Sequence, residues 1–62
     1  MNTVIVVFRK GNLKYSLVVR CGLVDRVGSL TPKTIVGRVF KEVGVELVRK
    51  GFIVTKIVLW KN

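Results

Sequence analysis

The side chains that ordinarily act as nucleophile, general base or metal ligand are few in this chain. Histidine is absent, Cys21 is the single cysteine, and the carboxylates are Asp25, Glu42 and Glu46. Covalent catalysis and proton transfer need a base within hydrogen-bond reach of the reacting group. Cys21 has no imidazole to ionise it, and a cysteine in an apolar run packs as a small buried hydrophobe. Glu42 and Glu46 fall in a segment of helical periodicity, beside basic neighbours. Zinc sites need clustered Cys or His, so no metal is expected. Gly37, Gly44 and Gly51 lack the preceding strand that a phosphate loop or dinucleotide fingerprint requires. The expectation is a non-enzymatic protein with no catalytic residue, cofactor or small-molecule substrate.

The cations are a different matter. Twelve Lys and Arg against three acids give +9 over 62 residues. Residues 1–24 hold four cations and no acid, and Arg49, Lys50, Lys56 and Lys61 follow the last acid. The stretch "FRKGNLKY" sets Arg9, Lys10 and Lys14 around a Gly-Asn pair. Like charges directly opposite in a hairpin destabilise it by a few tenths of a kcal/mol or more. A polyanion would relieve that repulsion, although long cationic side chains also splay into water. Phosphate contacts release condensed counterions, so a basic sheet face suits a nucleic-acid backbone. Arg9, Lys10, Lys14 and Arg20 are the candidate phosphate contacts, supported by Lys56 and Lys61. The target is DNA or RNA read with little sequence specificity, because no base-reading helix free of acids is evident.

The elements that must position these residues follow from apolar periodicity. "TVIVVFRK" (residues 3–10) and "LKYSLVVRC" (residues 13–21) are β-branched and aromatic, separated by Gly11 and Asn12 alone. A two-residue loop with glycine first suits a type II′ hairpin turn. It sets Lys10 opposite Leu13, Phe8 opposite Tyr15, Val6 opposite Leu17 and Val4 opposite Val19. The other face then carries Arg9–Lys14, Val7–Ser16, Ile5–Val18 and Thr3–Arg20. "CGLVDRVGS" (residues 21–29) reads as a turning connector. Thr31 as cap and Pro32 at the first helical position predict a helix over 33–50, with Val36, Val39, Phe40, Val43 and Leu47 as its apolar stripe. Arg38 with Glu42, and Glu46 with Lys50, are spaced to pair on its exposed side. Gly37, Lys41, Gly44 and Val48 form a small-residue strip opposite the core, and Gly51 stops the helix. "FIVTKIVLWK" (residues 52–61) reads as a last strand.

The expected architecture is therefore α+β over a single domain, residues 1–62: β-β-α-β, a three-stranded sheet with one helix on one face. The last strand is placed antiparallel beside the first. A chain this short buries only roughly 60% of its unfolded surface, so its own core is marginal. Both alternating sets of the last strand are apolar, Ile53, Ile57 and Leu59 or Val54, Val58 and Trp60, so one must face away from the helix. Contiguous exposed apolar surface marks an interface. A homodimer is expected, with Ile5, Val7, Val18, Ile57, Leu59 and Trp60 as interface residues. Trp60, Tyr15 and Phe52 are the candidate platforms for stacking on unpaired bases.

No apolar stretch has the roughly 20 residues of a membrane span, and no signal segment is visible, so a cytoplasmic setting is expected. The absence of Gln, His and Ala beside abundant Val, Ile, Lys and Arg is a thermophile-like bias. The alternative to nucleic-acid binding is a small interaction module, such as a virus- or plasmid-encoded inhibitor of an acidic protein surface. A membrane-surface peptide fits poorly, since the cations are spread over strands.

Overall fold

The structure, a computed structural model, describes residues 2–61, with side chains from 3 to 60. Strands β1 (Asn2–Lys10) and β2 (Leu13–Arg20) form the expected hairpin around Gly11–Asn12. All eight cross-strand pairs from Thr3–Arg20 to Lys10–Leu13 hold the register read from the loop length.

The connector is where the architecture departs from expectation. It contains a further strand, β3 (Leu23–Val27), so the sheet has four strands in the order β3-β2-β1-β4, not three. Cys21 and Gly22 make a second tight turn, both with positive φ (53° and 76°), and Arg20 pairs directly with Leu23. Two positive φ values in a two-residue loop match the twist of the flanking strands. The strand is hidden in the sequence because it is short, charged and bulged. Val18 pairs with Arg26 and Val19 with Val24, leaving Asp25 as the extra residue. Cys21 is accordingly exposed in a turn, not buried at a strand end.

The helix also differs. Lys33–Ile35 is one 3₁₀ turn, and α1 spans only Phe40–Arg49, with Val39 as an extended N-cap. Thr31 does not cap it. Its buried hydroxyl accepts the Ser16 N–H at 2.9 Å, satisfying β2 just beyond the end of β3. Residues 37–39 are drawn out of the helix by backbone bonds to β3 and to the turn before it. The Val24 N–H donates to the Arg38 carbonyl (2.9 Å), the Gly37 N–H to Val24 (2.7 Å) and the Phe40 N–H to Gly22 (2.9 Å). Gly37 makes this possible at φ +88°, a conformation that an L side chain rarely adopts. Three tertiary bonds thus outcompete the local preference for a helix starting at Pro32. The strip of small residues is dissolved as well: Gly37 lies outside the helix, and Gly44 packs near the Phe8 ring.

The helix ends as the sequence indicates. Gly51, at φ +97°, donates its N–H to the Val48 carbonyl, and the Phe52 N–H reaches Leu47. This is a Schellman motif with its accompanying apolar contact, since Leu47 and Phe52 share the core. Strand β4 (Ile53–Lys61) then runs antiparallel beside β1. The core joins Val6, Phe8, Leu17, Val19 and Val24 of the sheet to Val43, Leu47 and Phe52. It sits over β1–β3. Every side chain of β4 from Ile53 to Trp60 is exposed.

Candidate functional site

The face of the sheet away from α1 can be laid out row by row from the strand registers. The tip row is Lys14, Arg9 and Ile53, followed by Ser16, Val7 and Lys56. Next comes Arg26, Val18, Ile5 and Val58, and the last row is Leu23, Arg20, Thr3 and Trp60. Arg9, Lys14, Arg20, Arg26 and Lys56 therefore share one face, framing a half-buried apolar centre of Ile5 and Val18. The acid of this region, Asp25, lies 3.7 Å from Arg26. At the far end Thr3, Val18, Arg20, Asp25, Arg26 and Trp60 line a depression of about 80 Å³. Arg26 and Leu23 were not foreseen here. The signal for them was the two-residue Cys-Gly loop before "LVDRV", which places another short strand beside the second.

Two of the expected phosphate contacts stand apart. Lys10 points to the helix side, its Nζ 6.0 Å from the centre of the Phe52 ring, within the range of a cation–π contact. Lys61 has its side chain outside the described residues. Arg9 does face Lys14, but its Nε–H donates to the Gly11 carbonyl at 3.0 Å. The turn thus engages one donor of the Arg9 guanidinium.

The stacking candidates also divide. Tyr15 and Phe52 stack on each other, centroids 4.7 Å apart at 29°, and Phe52 belongs to the core. Trp60 remains 53% exposed on the open face. The expected interface residues fall on both sides of the sheet. Ile5, Val7, Val18 and Trp60 lie on the open face, with Val7 buried at 7% exposure. Ile57 and Leu59 pair with Val6 and Val4, on the helix side. Ile57 and Leu59 alternate with Trp60 and cannot share its face; a bulge decides which of them turns outward, since Lys56 pairs with Val7 but Val54 with Phe8, leaving Thr55 as the extra residue. One extra residue inverts the alternation. The open face therefore receives Ile53, Val58 and Trp60, and neither alternating set of the sequence is preserved. The Thr55 hydroxyl donates to the Val7 carbonyl at 3.4 Å beside the bulge.

The residues that could do covalent or acid–base chemistry are scattered. Cys21 is in a turn, Asp25 at the β3 bulge, and Glu42 and Glu46 on α1. Among the described residues no three Cys, Asp or Glu side chains gather as a metal site would require. Glu46 accepts two hydrogen bonds from Arg38, one of 3.1 Å from Nη1 to Oε1. Those bonds hold its carboxyl below the usual carboxylate range and raise the guanidinium above its own. This replaces the expected Arg38–Glu42 and Glu46–Lys50 pairs. Arg38 precedes the helix, so it reaches eight residues along instead of four. Among the described residues no helix is long and apolar enough to cross a membrane. No protein-family model, curated protein or solved structure matches this chain.

Proposed function

We propose that the open face of the sheet binds nucleic acid through its phosphates, with little sequence specificity, and that the protein acts in the cytoplasm without catalysing a reaction. The observation that supports this reading is the gathering of Arg9, Lys14, Arg20, Arg26 and Lys56 on one face against the single nearby acid Asp25. Cations on adjacent strands roughly 5 Å apart form a dense positive surface, and such a surface gains free energy by displacing counterions from a polyanion. A four-stranded sheet face is wider than the two-stranded ribbon that the major groove admits, so contact with phosphate and sugar dominates over base readout. Exposed Trp60, beside Arg20 across Thr3, gives unpaired bases a ring to stack on.

The experiment is a salt titration of binding to labelled oligonucleotides, duplex and single-stranded. Affinity for duplex DNA falls with a log–log slope of about −0.9 per phosphate contacted. Replacing Arg9, Lys14 and Lys56 together by glutamine flattens that slope by roughly three contacts of about 0.9 each. Lys10→Gln, on the opposite face, leaves it unchanged. Equal effects from Lys10 and the triple set would remove the face from consideration. Binding of an acidic protein, undiminished by nuclease and moderate salt, would support the interaction-module reading in its place.

A further inference from the structure

We infer that β4 is a dimerisation edge, pairing antiparallel with β4 of a second copy to join two four-stranded sheets into one of eight. Strand β4 has nine residues and, among the described residues, only β1 beside it, so one side of its backbone presents an unpaired row of N–H and C=O groups. Such a row is a template for another strand, and proteins usually blunt it with proline, charge, short length or a covering segment. In β4 there is no proline, and Lys56 is its only charge before Lys61. Its bulge at Thr55 falls near the start, leaving residues 56–61 as a regular run. Both faces of that run are apolar and exposed, Ile57 by 65% and Leu59 by 63% on the helix side.

A second copy fits this edge for reasons written in its own sequence. A two-fold axis near Val58, perpendicular to the sheet, sets Ile57 opposite the partner strand's position 59 and Lys56 opposite position 60. Leucine then meets isoleucine on one face and the cation meets the indole on the other, where an ammonium near an aromatic ring is attracted. No two cations of residues 56–60 face each other. The helix layer extends the contact. Alongside β4, Phe8, Phe40, Val45, Val48 and Val54 line a mainly apolar groove of about 510 Å³, to which Lys41 and Arg49 also contribute. Backbone hydrogen bonds between the paired strands add to this apolar contact. The same axis leaves both open faces on one side of the joined sheet, so the two sets of cations adjoin. The pairing itself does not depend on what those cations bind.

The test uses the whole chain, freed of nucleic acid by nuclease and high salt. Sedimentation equilibrium is expected to give twice the 7.0 kDa chain mass, and alternate β4 amides from Lys56 to Trp60 are expected to be protected from hydrogen exchange on the outer side. Ile57→Lys with Leu59→Lys halves the mass with an unchanged circular dichroism spectrum, because both side chains are exposed in the single copy. Should that variant unfold, the exchange pattern of the unaltered chain decides. A 7.0 kDa particle at high micromolar concentration overturns the proposal. So does a dimer whose outer β4 amides exchange as freely as unpaired ones, since a different face then holds it.

Discussion

The two rims of the sheet have been treated in opposite ways. The β3 rim is short, bulged at Asp25 and covered: residues 37–40 lie along it with three backbone hydrogen bonds, and Leu23 bridges to Val39. Thr31 satisfies the neighbouring β2 amide where β3 ends. The β4 rim is long, apolar and, among the described residues, flanked by one strand only. The core follows the same asymmetry, since Leu17, Val24 and Val43 are sealed while all of β4 from Ile53 to Trp60 stays exposed. One side of this small domain is finished by its own chain. The other is left open along β4. Covering the β3 rim draws residues 37–39 away from the helix, which is left with ten residues.

The sharpest way to break this comparison is to remove equivalent apolar side chains from the two halves. Leu17→Ala empties a fully buried site and is expected to destabilise the fold by about 2–5 kcal/mol, through lost transfer energy and the cavity left behind. Leu59→Ala, at concentrations low enough to keep the chain a single copy, should change stability by no more than roughly 0.5 kcal/mol, as surface substitutions do. Urea denaturation of both variants measures the contrast. Comparable losses in the single copy would mean that the β4 half is covered after all. A Leu59→Ala penalty that grows with protein concentration would instead locate its contact between copies.

The cover on the β3 rim can be tested at its hinge. Gly37 holds φ +88° with open space around its missing side chain, so any penalty on substitution comes from backbone strain and not from collision. Gly37→Val should destabilise the domain by about 1–3 kcal/mol, less than the Leu17 cavity at its upper range. Hydrogen exchange should rise first at Val24 and Phe40, whose amides bond across this segment. Uniform loss of protection through β1 would show that the cover is not a separable device.

How much of this was legible depends on how local each decision is. The β1–β2 register was readable because two residues between strands leave one pairing, and the Gly51 stop because a Schellman end needs a positive φ there. The β3 strand was lost because Asp25 is a bulge residue, which breaks the alternation that identifies a strand. The helix start was misread because its competitor is long-range: no feature near Pro32 announces that Arg38 will accept a bond from Val24. The same applies to the open face. Arg9 and Lys14 were placed by the hairpin, whereas Arg26 awaited the extra strand, and Lys10 was lost to the Phe52 ring. The Thr55 bulge decides which β4 residues face outward, a choice the sequence left open because a lone threonine in an apolar run does not signal a bulge.

The smallest expected effect concerns the clasp between the covered rim and the helix. Arg38 holds Val24 through its backbone carbonyl and Glu46 through its side chain, tying β3 to α1. Both charged groups are open to solvent, where ion pairs contribute little. The sign of the pH dependence is nevertheless defined. The Glu46 carboxyl is held below its ordinary value, chiefly by the hydrogen bonds from Arg38. Its contribution is therefore present above the ordinary carboxylate range near 4.5 and disappears as pH falls through the depressed value. Arg38 stays charged throughout, so only one partner titrates. Chemical denaturation of the unaltered chain and of Glu46→Gln at neutral pH should differ slightly in favour of the carboxylate. At a pH below the depressed value the two should coincide. A difference that persists unchanged in acid would mean that the carboxylate's charge is irrelevant and that the clasp is made by the backbone bonds of residues 37–40 alone.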